Sequence, residues 1–143
     1  MLPPVIVGRP LDAVPEHVQY RLREIYRAFI FGLWMSAVAL SHSVAEYAIR
    51  DNAPRLHLEL TYERNGTKHE KSFSDIINEL SPLRPELARH LETIRSTGNR
   101  ILHPKNPKSR RGAEIISMPR GTRGEASKCL THTKVVIEIL YAS

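Results

Sequence analysis

The chain has 143 residues, 41% hydrophobic and 25% charged, which is enough for one buried core and too short for two ordinary domains. Its 21 Lys and Arg exceed its 15 Asp and Glu, which favours anionic partners, and its single cysteine, Cys129, excludes an intramolecular disulfide and a cysteine-rich zinc site within one chain. Met1-Leu2-Pro3-Pro4 lacks the basic start of a signal peptide, and the longest apolar stretch, Ala28 to Leu40, is broken by Gly32 and Ser36 and falls short of the ~20 residues of a bilayer span, so a soluble cytoplasmic protein with no membrane partner is expected.

Residues 1–14 read as an extended N-terminal segment. Pro15 suits the first turn of a helix, where its missing N–H has no partner to lose. Val18, Leu22, Ile25 and Phe29 then recur on one helical face. Leu33, Ala37, Leu40, Val44 and Tyr47 continue the helical period in another register, and the change of phase falls at Gly32. Two helices are predicted, roughly Glu16 to Phe31 and Leu33 to Ile49, with a break or tight turn between them. The pair Trp34-Met35 reads as core or dimer interface. Asp51-Asn52-Ala53-Pro54 ends the second helix.

The period then changes to two. Leu56, Leu58, Leu60 and Tyr62 alternate with His57, Glu59 and Thr61, and Asn65-Gly66 tolerates the positive φ of a tight turn, so a small β-hairpin insertion is predicted near 56–73. Ser72-Phe73-Ser74-Asp75 has the form of a capping box ahead of Ile76, Ile77 and Leu80, and Ser81-Pro82 stops that short helix. The next helix begins near Pro85, with Leu83, Leu87, Leu91 and Ile94 as its core face. Residues 104–124 read as a basic Pro/Gly-rich loop. The chain closes with a helix from Glu125 to Tyr141, placing Leu130, Thr133, Ile137 and Leu140 on one face, although Val135 to Ile139 alone also suits a strand. The fold class is therefore mainly α: one domain over 1–143, a bundle of about five helices with a small hairpin.

The charge is local. Residues 100 to 128 hold eight cations, Arg100, Lys105, Lys108, Arg110, Arg111, Arg120, Arg123 and Lys128, against Glu114 and Glu125, and the rest of the chain sums to zero. Such a segment can contact several phosphates in a salt-dependent way, while its composition equally suits a solvated loop that serves solubility. Few aromatic residues interleave with these cations, so base stacking is not indicated there by the sequence.

If the helix from Pro85 continues through His103, then Arg95, Asn99 and His103 project from one face, with Glu92 one turn earlier. Arg95 then offers a forked donor to phosphate, Asn99 orients its neighbours, and His103 is a candidate general acid or base near neutral pH. The same residues admit a structural reading, with Gly98 interrupting the helix, Asn99 as its C-cap and His103-Pro104 as its end. His42 is a candidate to face this site or a buried packing histidine. Cys129 and His132, three apart, form either a thiol–base pair or a buried small hydrophobe beside a histidine. No pattern for a metal or cofactor site is present, and no Gly-rich phosphate loop follows a strand.

The order Val14-Pro15-Glu16, a helical pair, Ser72 to Ile77, Ile94-Arg95-Ser96-Thr97-Gly98-Asn99-Arg100-Ile101-Leu102-His103-Pro104 and a closing helix ending Leu140-Tyr141 resembles a bacterial HEPN-like domain of unknown function, found alone and fused to restriction-system proteins. The resemblance covers most of the chain and rests chiefly on the Arg-x-x-Gly-Asn-x-x-x-His core. It implies a helical bundle that commonly dimerises, a link to RNA, and a defence or toxin–antitoxin setting. HEPN ribonucleases are metal-independent and use an Arg and a His four to six residues beyond it, with the RNA 2′-hydroxyl attacking the adjacent phosphate. Here Asn99 and His103 keep the Asn-x-x-x-His register, but Gly98 stands where the catalytic Arg would be, and neither Arg95 nor Arg100 has the ribonuclease spacing. Three functions follow as expectations: a weak metal-independent endoribonuclease using Arg95, Asn99 and His103; a non-catalytic module for RNA or a protein partner; or a structural dimerisation module.

Overall fold

The computed structural model describes residues 13–102 and 123–141. Among them the chain forms five helices and one hairpin, in the order α1 (Glu16–Ile30), α2 (Trp34–Asp51), β1 (Thr61–Arg64), β2 (Thr67–Glu70), α3 (Phe73–Leu80), α4 (Pro85–Leu102) and α5 (Arg123–Tyr141). The expected mainly helical bundle with a small hairpin is what forms. No helix among the described residues is long and apolar enough to cross a membrane.

Pro15 sits one residue before α1 as its N-cap, with its carbonyl accepting from the amides of Val18 and Gln19 at 2.9 and 3.0 Å. The phase change at Gly32 is a Schellman turn. The Leu33 amide donates to the Ala28 carbonyl at 2.8 Å and the Gly32 amide to Phe29 at 3.1 Å, which requires the φ of +73° that Gly32 adopts. α2 leaves this turn and runs to Asp51, where buried Asn52 closes it by donating from its side chain to the Ala48 carbonyl at 2.9 Å.

The expected strand is displaced. Residues 52–57 form successive turns, with Leu58 buried and His57 at φ +54°, and pairing begins only at Thr61. The leucine alternation is thus the packing of a linker against the core, not the pleat of a sheet. β1 and β2 pair antiparallel with Thr61 opposite Glu70 and Arg64 opposite Thr67, around Asn65-Gly66, both at positive φ. Both strands are largely exposed. Two contacts moor them: Arg50 donates to the Lys71 carbonyl at 2.8 Å, and the Lys71 ammonium pairs with Glu79. The Ser72–Asp75 capping box forms as the sequence predicts and starts α3.

α4 buries Leu87, Leu91 and Ile94, but Leu83, read as part of that face, lies in the preceding turn and is 60% exposed. Its spacing matched the helix, yet the helix begins two residues after it. α2 and α4 share the centre of the bundle: α2 packs on α1, α4 and α5, and α4 also holds α3. The closing segment is helical, with Leu130, Thr133, Ile137 and Leu140 buried, because packing along α2 rewards a stripe at helical spacing.

Interhelix contacts fix the directions. His90 meets His132 and Arg100 meets Glu125, so α4 and α5 are antiparallel. Tyr141 donates to Asp51 at 2.7 Å and Arg55 donates to the Leu140 carbonyl, so α5 ends beside the end of α2. α2 and α5 form the most extensive helix pair and have 18 and 19 residues, spanning about 27 and 29 Å at the usual rise, so their N-termini lie at the same end. The α1–α2 turn, the end of α4 and the start of α5 therefore share one end of the bundle.

Candidate nucleic-acid interface

The last two turns of α4 carry most of the motif that the sequence singles out. The helix continues through Gly98, so Gly98 does not interrupt it and Asn99 is not its C-cap. The reason lies in α2. A Cβ on Gly98 would come 2.7 Å from Cδ2 of His42 and 3.2 Å from its Cβ and Cγ. The His42 ring also meets Phe73 edge-on, with centroids 5.2 Å apart. Gly98 is the flat spot on which His42 packs.

Arg95 and Asn99 are both half-buried and lie one turn apart. Arg95 is not an open fork: its Nε and Nη2 donate to the two carboxylate oxygens of Glu92 at 2.8 and 2.7 Å. That hydrogen-bonded pair holds the Glu92 carboxyl below the ordinary range and raises the Arg95 guanidinium. Glu92 thus takes one edge of the guanidinium, and a phosphate would meet only its remaining N–H donors, with the charge already paired.

Arg100 pairs with Glu125 across the α4–α5 junction while its side chain stays 58% exposed. Arg123, the first residue of α5, and Lys128 are exposed. His103, Lys105, Lys108, Arg110, Arg111 and Arg120 lie outside the described residues, as does most of the predicted 104–124 loop, whose last two residues belong to α5. The structure thus brings Arg100 and Arg123 to one end of the bundle, where the cationic segment leaves α4 and enters α5.

Cys129 and His132 do not form a thiol–base pair. Cys129 is fully buried, and burial pushes its thiol up to about 11, with the Thr97 hydrogen bond only partly opposing that rise. His132 turns instead to His90, with 2.7 Å between their Nδ1 atoms, so one ring donates and the other accepts. Its pKa is lowered, first by burial and then by the nearby charges of His90, Lys128 and Arg89. No sequence spacing could have found this pair, whose members are on separate helices. Native Cys129 is expected to alkylate with iodoacetamide at pH 8 more than about 10²-fold slower than the unfolded chain, because so little thiolate forms. Equal rates, followed by mass spectrometry, would show an accessible ionised thiol.

Comparison with known protein families, curated proteins and solved structures returns no match.

Proposed function

We propose that this chain is a HEPN-like, non-catalytic RNA-binding module. The observation that carries the reading is the confinement of the whole net charge of +6 to residues 100–128, whose flanking helices meet at one end of the bundle through Arg100 and Glu125. A polyanion is the partner that such a concentration of cations along the chain attracts. Binding is favoured over cleavage by two features of α4: Arg95 is held by Glu92, and the position of the expected catalytic Arg is a glycine under His42. The polar core of the motif then serves packing and positioning.

The test is binding of fluorescein-labelled single-stranded RNA by anisotropy across 50–200 mM KCl in EDTA, with wild type and a variant carrying glutamine at Arg110, Arg111, Arg120 and Arg123. If each cation neutralises one phosphate, the variant loses about 3 from the slope of log K against log salt and roughly 10²–10³-fold in affinity near 0.1 M salt. Unchanged affinity and slope would overturn RNA binding through this segment. RNA cleavage in the same buffer by wild type, absent in His103→Ala at matched stability, would overturn the non-catalytic assignment.

A further inference from the structure

Ile30, Phe31, Leu33 and Met35 are all exposed large apolar residues, and Phe31, at 77%, is the most exposed of those described. All four lie within six residues about the α1–α2 turn, a local density of exposed apolar side chains of the kind that marks an interaction site. The turn is rigid. The Schellman bonds pin Gly32 and Leu33, the Phe31 amide donates to the Arg27 carbonyl at 3.0 Å, and the Trp34 ring lies against Gly32, 4.0 Å from where a Cβ would stand. Phe31 is therefore presented on a fixed backbone with a half-buried tryptophan beside it.

The helix directions place this corner at the end of the bundle that also carries Arg100, Arg123 and Lys128. Exposed apolar and aromatic side chains at the same end of the bundle as exposed cations match a single-stranded polynucleotide, which offers base faces and phosphates together. A second copy fits less well, since docking this corner on itself would bring two cationic ends together. A lipid surface is usually met by the apolar face of a helix lying in its plane, whereas these residues cluster about a turn.

We propose that the α1–α2 corner is a base-stacking platform for single-stranded RNA, with Phe31 as its principal ring. This rests on the RNA-binding reading above and adds the part of the ligand that is not phosphate.

The experiment compares wild type, Phe31→Ala, Phe31→Leu and Phe31→Trp on a labelled 12-nucleotide single strand and on an RNA duplex with the same number of phosphates. Stacking predicts that Ala and Leu each lose about 5- to 100-fold on the single strand, with Trp retaining affinity within about 2-fold. The salt slope is expected to stay the same in all four, since no phosphate contact is removed, and duplex affinity to be unaffected. Phe31 is exposed, so melting temperatures should match; they are recorded for each variant. If wild type binds no RNA, the RNA-binding reading falls and the platform with it. If wild type binds with the expected salt slope and Phe31→Ala and Phe31→Leu bind as well as wild type, only the platform falls. Retention by Leu with loss by Ala, together with Phe31-dependent flotation on phosphatidylserine vesicles or Phe31-dependent dimerisation in light scattering, would reassign the corner to a lipid surface or a second copy.

Discussion

Gly98→Arg is expected to unfold the protein or to cost more than about 3 kcal/mol, because it forces a side chain and a buried charge between α2 and α4. This substitution would install the arginine that the family resemblance expects, and the structure gives it no room. The smaller Gly98→Ala separates two opposing terms. Alanine gains about 1 kcal/mol of helix propensity over glycine, while overpacking costs about 1–3 kcal/mol. With the added Cβ 2.7 Å from a ring atom of His42 and 3.2 Å from the root of that side chain, the clash outweighs the gain. The expected net loss is up to about 2 kcal/mol in chemical denaturation. In a His42→Ala background the contacts with Cδ2 and Cγ are gone and only the 3.2 Å contact with the retained Cβ remains, so Gly98→Ala should be less destabilising there than in wild type by about 1 kcal/mol or more. A Gly98→Arg protein that melts within about 2 °C of wild type would show that His42 does not occupy this space.

Leu91→Ala is expected to cost about 3–5 kcal/mol, the upper part of the range for removing a buried leucine. Leu91 is 0% exposed in the middle of α4, and α4 is held by α2, α3 and α5, so the surroundings have little freedom to close the cavity. The melting temperature should fall by more than about 10 °C. Leu83→Ala is the control. That leucine was grouped with Leu91 by spacing, but it is exposed, and its removal should stay within about 0.5 kcal/mol. Similar losses at both positions would contradict the assigned start of α4.

The features legible in the sequence are those completed within one or two turns of chain. The Ser72–Asp75 box, the break at Gly32 and the Asn65-Gly66 turn each satisfy backbone groups a few residues away, so residue type and spacing suffice to find them. The apolar stripes of α1, α2 and α5 were readable for a related reason, burying one face of a helix requiring a period near 3.6 whatever it packs against, except that Leu33, read as the start of the α2 stripe, precedes the helix and is exposed. The candidate site was legible as a set of residue types and no further. Arg95 and Asn99 do share a region of α4, but whether Arg95 was free depended on the rotamer that takes it to Glu92.

The sequence by itself determined the helical class, the order of the elements and the place of the net charge, because propensity, periodicity and charge belong to the local chain. Only the tertiary structure decided that Gly98 lies beneath His42, that His90 faces His132, that Arg100 meets Glu125, and that exposed Phe31 stands at the cationic end. These depend on which helices are neighbours and in which direction they run. That is set by the packing of the whole core, and no window of sequence contains it.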